Sequence, residues 1–272
     1  MLTFSPRASR APETETSLTS AAEAASPTRA AEWHPGLAVA GTVHVEIFAS
    51  ANDAAGAALA LSFALDHVRT ARADPLADAP DERAWLWVQD REALRRTGRP
   101  YRPGLPRSLR HRLVHVAART PQDALFALEE GLRCRELAFV IGEISGNPRA
   151  LDLTASRRLG LAAEKHAVPL LLVRLSAQRD LSSARQRWSV QAAPSPAPRW
   201  NPAAPGTASW RAELFRARRH PPGTWILRDD GVLVAERSAA TVASEAGMAP
   251  RLARSAQVYL PQFRASRERG GQ

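Results

Sequence analysis

Ser50, Asn52 and Asp53, followed by Gly56, Ala57 and Ala58, stand where a nucleotide-binding protein carries its phosphate loop. They come after an apolar run at residues 42–48 that reads as a buried strand. An apolar helix, expected over residues 59–68, follows them. A working phosphate loop needs glycines, so that backbone N–H groups can wrap the phosphates. It also needs Lys for the phosphate charge and a Ser or Thr hydroxyl for magnesium. Here one Gly remains, Lys is missing, and Ala57 and Ala58 occupy the Lys and Thr places. Asp53 would repel a phosphate. The segment reads as an ATPase scaffold without its chemistry, so catalysis is not expected, and neither is a nucleotide, metal or other cofactor.

Other residue types that do chemistry are present without the spacing it requires. Glu143 ends the apolar run 137–144, the place of a Walker B carboxylate that would hold magnesium through water. Without a phosphate loop it is expected to be a capping or surface carboxylate. Gln89 and Asp90 follow the apolar run 84–88, where Asp90 could orient a water, and these too are read as structural. The histidines (His34, His44, His67, His111, His115, His166 and His220) show no metal-ligand spacing, and His44 and His115 fall in strands as core or edge residues. No HExxH or paired-Cys pattern points to zinc, and no GxSxG elbow supports a serine triad. Cys134 is the only cysteine, which leaves it without a disulfide partner and suits a reducing compartment. It is expected to be packed.

The charge is strongly positive, with 37 Lys and Arg against 27 Asp and Glu, a net +10. Such a balance suggests an acidic partner, nucleic acid first. Lys165 is the only lysine, so an Arg bias from a GC-rich genome explains the charge equally well. Binding through it would be weak, salt-sensitive and indifferent to sequence. Two places concentrate it. Residues 95–112, read as a basic loop, carry Arg95, Arg96, Arg99, Tyr101 and Arg102, which could track phosphates with an aromatic platform. Arg216, Arg218 and Arg219 cluster at a hairpin end. A solvated surface is the other reading of both. No stretch of about 20 apolar residues suggests a membrane span, and no apolar leader marks the start, so a cytoplasmic protein is expected.

The elements that must position these residues alternate. Strands are expected at 42–48, 84–88, 113–116, 137–144 and 168–175. Helices are expected at 59–68, after Thr120, and at 153–166. Thr120 suits an N-cap, Pro121 the first helical position and Asp123 the positive helix end. Leu125, Leu128 and Leu132 then form one apolar stripe. Asp152 caps the next helix. This alternation predicts an α/β fold with a doubly wound, mostly parallel sheet. Residues 188–191, 210–216 and 223–228 alternate apolar and polar residues and are expected to extend the sheet as antiparallel strands. Five tryptophans (Trp85, Trp87, Trp188, Trp210 and Trp225) fall in strands, with Trp85 and Trp87 on one face. Core packing is the first reading, and an exposed binding anchor the other.

Several segments resemble known proteins. Pro35-Gly36-Leu37 with Val45-Glu46-Ile47-Phe48, and the helix and strand over residues 120–144, resemble the RecA-like fold around its phosphate loop and Walker B strand. A closer resemblance is to the ImuA family, a translesion-synthesis group also labelled SulA-like. Its carriers begin with Tyr101-Arg102-Pro103-Gly104-Leu105, Asp123-Ala124-Leu125, Ala127-Leu128-Glu129-Glu130 and Val140-Ile141-Gly142-Glu143. They continue with the most specific segment, Leu151-Asp152-Leu153-Thr154-Ala155-Ser156-Arg157-Arg158-Leu159. Arg187-Trp188, Trp210-Arg211-Ala212-Glu213-Leu214 and Pro222-Gly223-Thr224-Trp225 complete them.

The resemblance covers residues 35–235 and implies a non-enzymatic RecA relative of the DNA-damage (SOS) response. It would work in a mutasome with ImuB, an inactive Y-family polymerase relative, and with RecA. An error-prone polymerase and the sliding clamp would be indirect partners, and nucleoid association would accompany activity. In RecA itself two loops hold DNA, and residues 145–150 and 176–186 correspond to them here. Both are short and lack aromatics, although Arg149, Arg179 and Arg185 could touch a backbone.

Three regions are expected: a disordered lead-in at 1–32, a RecA-like domain at 33–236 and a flexible tail at 237–272. Gln257, Tyr259, Leu260 and Phe263 in the tail loosely resemble a sliding-clamp peptide, so the tail is a candidate partner-binding element. Two functions of other classes stand beside the adaptor reading. One is an atypical nucleotide-binding ATPase or DNA-binding protein of the RecA superfamily. The other is a division inhibitor, suggested only by the SulA-like label.

Overall fold

A computed structural model describes residues 44–71, 82–218, 220–229 and 233–237. The chain divides into residues 1–33 and 34–272, and the first unit lies outside the described residues. Among the described residues nine strands form one sheet in the order β3-β2-β4-β5-β1-β6-β7-β8-β9. The first five are β1 (His44–Ala49), β2 (Ala84–Gln89), β3 (Leu113–Ala117), β4 (Leu137–Ser145) and β5 (Leu170–Leu175). They pair in parallel, as their near-continuous apolar runs predict. Next come β6 (Gln186–Ala192), β7 (Ser209–Ala217), β8 (Gly223–Asp229) and β9 (Leu233–Arg237), antiparallel to one another. A mixed sheet of this kind is compatible with a RecA-like fold.

Three expectations need correction. The strand over 188–191 is not simply antiparallel. Its element, β6, runs parallel to β1, with Ile47 opposite Trp188, and antiparallel to β7, with Trp188 opposite Leu214. It joins the two halves of the sheet, and alternation of residue types cannot distinguish the two pairings. The basic segment 95–112 is not one loop. It contains the end of α2 (Arg91–Thr97), a 3-10 turn (Arg102–Gly104) and α3 (Arg107–Arg110). Asp90 caps α2 through its side chain and Gly98 ends it at φ 74°. Cys134 is exposed rather than packed, because it stands just past the end of α4 (Pro121–Arg133).

Local chemistry explains the other helices. α4 opens on a reciprocal capping box between Thr120 and Asp123. α5 (Leu153–His166) opens on Asp152, which accepts from the Ala155 N–H. The first helix, α1 (Ala55–Ala71), begins four residues earlier than its apolar run. α4 and α5 cover one face of the parallel strands, their Leu125, Leu128, Leu132 and Leu159 packed on Leu86, Val140, Leu170 and Leu172. α1 lies on the other face, where Phe63 meets Trp188 edge-on with ring centroids 5.5 Å apart. Trp85, Trp87, Trp188, Trp210 and Trp225 are all buried, so the strand tryptophans are core residues.

Candidate functional site

The carboxyl ends of parallel strands are where an α/β sheet presents its ligand-binding loops. Here the loop after β1 is closed by its own chain. The Ala51 N–H donates to Ser176 Oγ at 3.0 Å and the Asn52 N–H to Ser50 Oγ at 3.2 Å. The Asp53 N–H reaches the Ser50 carbonyl at 3.3 Å. Asp53 Oδ1 accepts from the Ala55 N–H in the first turn of α1 at 2.8 Å. Its Oδ2 accepts from the Ala192 N–H at the end of β6, also at 2.8 Å. The positive end of a helix favours an anion, and a side-chain carboxylate already supplies one. The remaining glycine serves packing. A Cβ on Gly56 would lie 2.7 Å from Ala49 Cβ and 2.9 Å from Val173 Cγ1, so α1 needs Gly there to approach the sheet. Ala57 and Ala58 are half-buried.

Glu143 is neither exposed nor a cap, contrary to expectation. It is 1% exposed, and its two oxygens accept from Trp87 Nε1 at 2.8 Å, Thr97 Oγ1 at 3.0 Å and Gln89 Nε2 at 3.2 Å. Burial raises its pKa, and the three donors favour the charged form and offset part of that rise. Gln89 also meets His115 Nε2 at 2.8 Å. Asp90 spends both oxygens on backbone, Oδ1 on the Ala93 N–H and Oδ2 on the Ser145 N–H. At both positions the carboxylate oxygens are engaged by donors of the chain itself. Among the described residues no group of three His, Cys, Asp or Glu is placed to hold a metal.

The loops after β4 and β5 are stitched together. Asn147 Nδ2 donates to the Gln178 carbonyl and to Asp180, and Asn147 Oδ1 accepts the Gln178 N–H at 2.7 Å. Beneath them lies a buried charge cluster. Glu46 accepts from Ser182 Oγ at 2.7 Å and Arg187 Nε at 2.8 Å, with Arg174 Nη1 3.8 Å away. Asp180 faces both arginines, at 3.2 Å from Arg174 and 3.6 Å from Arg187. Burial pushes the Asp180 carboxyl up, but Arg174 and Asn147 outweigh it and hold the pKa below its usual value. Of the three loop arginines, Arg179 lies 3.9 Å over the Phe215 ring and pairs with Glu213. Arg185 pairs with Glu164, and Arg149 is exposed.

On the basic segment, Arg95 and Arg96 both bind Glu92, and Arg102 donates to the Leu113 carbonyl. Arg99 and Tyr101 are exposed, Tyr101 at 75%. Arg99 and Arg102 lie near enough to His115 to add to burial in lowering its pKa. Arg216 and Arg218 are exposed at the end of β7. Arg219 and the tail residues Gln257, Tyr259, Leu260 and Phe263 lie outside the described residues. His44 is a core residue, as expected. Burial carries its pKa down to about 4, and both ring nitrogens lack partners among the described residues.

Sequence reasoning missed Ser176 and the closing role of Asp53. An Asp two residues before a helix is a cap signal and could have revealed the second. Nothing in the sequence marks Ser176, whose backbone has φ 49° and whose partner is Ala51.

No family model matches the chain. The chain is 35% identical over 127 residues to Protein ImuA of Caulobacter vibrioides, both from strain NA1000 / CB15N and from strain ATCC 19089 / CIP 103742 / CB 15. The aligned stretch covers 43% of this chain and 50% of each of those proteins. The chain thus spans about half the length of the curated relatives it matches. No helix among the described residues is long and apolar enough to cross a membrane.

Proposed function

We propose that this chain is a non-catalytic adaptor of DNA-damage-induced mutagenesis. It would link an ImuB-type protein, and through it an error-prone polymerase and the sliding clamp, to RecA or its filament. Similarity to Protein ImuA supports the process. One observation carries the non-catalytic part: the N–H groups of Ala51, Asn52, Asp53 and Ala55 all have acceptors within the chain. A nucleotide phosphate would have to break those bonds and displace a carboxylate. The same observation weighs against an atypical ATPase. Direct DNA binding remains a secondary reading, favoured by the net +10 but weakened because Arg95, Arg96, Arg102, Arg179 and Arg185 are engaged within the chain. The division-inhibitor reading draws nothing from the geometry.

Co-purification of the full chain with its cognate ImuB-type protein and RecA tests this function. Binding to either at micromolar concentration, unchanged by ATP, is the expected result. Absence of binding to both would overturn the adaptor reading. Calorimetric titration with ATP and magnesium tests the non-catalytic part separately, and no heat of binding is expected.

A further inference from the structure

We infer that the loop over residues 193–208 is a preformed docking element, and that Trp200 and Arg199 insert into an apolar pocket with an acidic rim on a partner protein. The inference rests on the partner-binding reading above and gives it a surface.

Neighbouring antiparallel strands usually need two to five connecting residues. β6 and β7 are joined by the whole of 193–208. Loops that long in a compact domain are usually functional or unstructured, and this one has structure of its own. At its neck the Ala193 N–H donates to the Ser209 carbonyl at 2.9 Å. Gly206 passes so close to the other arm that an added Cβ would sit 2.0 Å from the Pro196 carbonyl oxygen. Near the tip, Asn201 turns the chain, its Oδ1 accepting the Ala203 N–H at 3.1 Å and its carbonyl accepting the Ala204 N–H at 3.0 Å. Pro194, Pro196, Pro198, Pro202 and Pro205 fix φ along both arms.

Such a frame lowers the ordering cost of binding, and what it presents is unusual. Trp200 is 84% exposed, more than any other large apolar side chain among the described residues. The other described tryptophans are buried. Trp and Arg are two of the three residue types enriched at the energetic centre of interfaces. Arg199 is the only charged residue in 193–208. A single cation cannot track a polyanion, whose affinity grows with the number of phosphates met, so the composition favours a protein pocket over nucleic acid. Carboxylates at the pocket rim would complement Arg199.

The old phosphate loop braces this element. Asp53 Oδ2 holds the Ala192 N–H, the last residue before the loop. Asp53 is therefore a positioning residue for Trp200, and the carboxylate that fills the phosphate position also steadies the neck.

The test is site-specific photocrosslinking in DNA-damaged cells, with benzoylphenylalanine at position 200 of the full chain and, as control, at exposed Phe126. A protein adduct is expected at 200, lost in Arg199→Glu and kept in Arg199→Lys, with the crosslinked peptide flanked by acidic residues. The captured protein, purified, should bind the wild type at least about 30-fold more tightly than Trp200→Ala. Asp53→Ala should weaken binding by roughly five-fold and Asp53→Asn by less, because Asn keeps one acceptor. No adduct at 200, an adduct only with nucleic acid, or equal affinity of Trp200→Ala would overturn the inference. If ImuB or RecA binds Trp200→Ala normally, the adaptor reading stands and this surface falls. If the captured partner has no part in mutagenesis, the surface stands and the adaptor reading falls.

Discussion

The carboxyl end of the parallel strands and the loop between β6 and β7 meet at Ala192, and they use their side chains in opposite ways. At the first, Asp53, Asp90 and Glu143 are turned inward, each accepting at least two hydrogen bonds from the chain itself. At the second, a large apolar side chain is turned outward on a frame of prolines. The carboxylates of the first are spent on partners within the chain, and the connection between β6 and β7 keeps an exposed indole. A polar group whose partners are all internal has little left for a ligand. An exposed indole on a fixed frame has most of its binding free energy still to gain.

The strongest way to break this comparison is to show that the parallel end is not a structural core. Glu46 is fully buried and holds Arg187, Ser182 and, at longer range, Arg174. Glu46→Gln leaves two buried guanidinium groups short of a counter-charge. A loss of about 3–5 kcal/mol is expected, seen as a fall in Tm of roughly 10 °C. A loss under about 1 kcal/mol in urea unfolding would mean that water already reaches the cluster.

Acid should act next. The folded pKa of His44 is about 4, below its ordinary 6.5, because burial opposes the charged ring, with Glu46 and Glu164 partly offsetting that and Arg187 and Arg185 reinforcing it. A depressed folded pKa means that the unfolded chain takes the proton first. Its contribution is therefore fully present above pH 6.5 and is lost as pH falls through 6.5 toward 4. The total is about 3 kcal/mol. Glu143, raised by burial, works in the other direction and offsets part of the loss. Urea unfolding at pH 7 and pH 4.5 should show a smaller difference for His44→Leu than for the wild type. Equal differences would remove His44 as the source.

Much of this fold was legible in the residues. Apolar runs marked the five parallel strands, and Thr120 and Asp152 marked helix starts that the structure places at the same residues. What was not legible depends on pairing between distant segments. β6 alternates like an antiparallel strand, and only its neighbours decide that one edge is parallel. The absence of Lys and Thr at Ala57 and Ala58 was visible in the residues. The closure of the loop before α1 was not, because Ser176, just past β5, and Ala192, at the end of β6, come from distant segments. Glu143 read as a surface group because no local pattern announces Trp87, Gln89 and Thr97 around it. Within segments, residue type was a good guide, and between them it was not.

A smaller effect sharpens the boundary between the two regions. Asp53→Ala removes acceptors from the first turn of α1 and from Ala192 at once. A loss of about 1–2 kcal/mol is expected, with faster hydrogen exchange at the Ala55 and Ala192 amides. Exchange that quickens at Ala55 alone would mean that the loop neck does not depend on Asp53.

The smallest expected effect is the most discriminating. Ala57→Lys with Ala58→Thr supplies the Lys and Thr that a working phosphate loop needs. If those two side chains were all that binding requires, the double variant should bind ATP with magnesium. The backbone argues otherwise, since the N–H groups of Ala51, Asn52, Asp53 and Ala55 would still face acceptors of their own chain. An introduced Lys would also stand near the Asp53 carboxylate and tend to pair with it. No binding is expected in calorimetry at millimolar ATP, and adding Asp53→Gly frees only the Ala55 and Ala192 donors, leaving Ser176 on Ala51. Micromolar ATP binding by the double variant would show that the loop opens readily. The hydrogen bonds that close the loop would then be one state of it, open to exchange with a ligand.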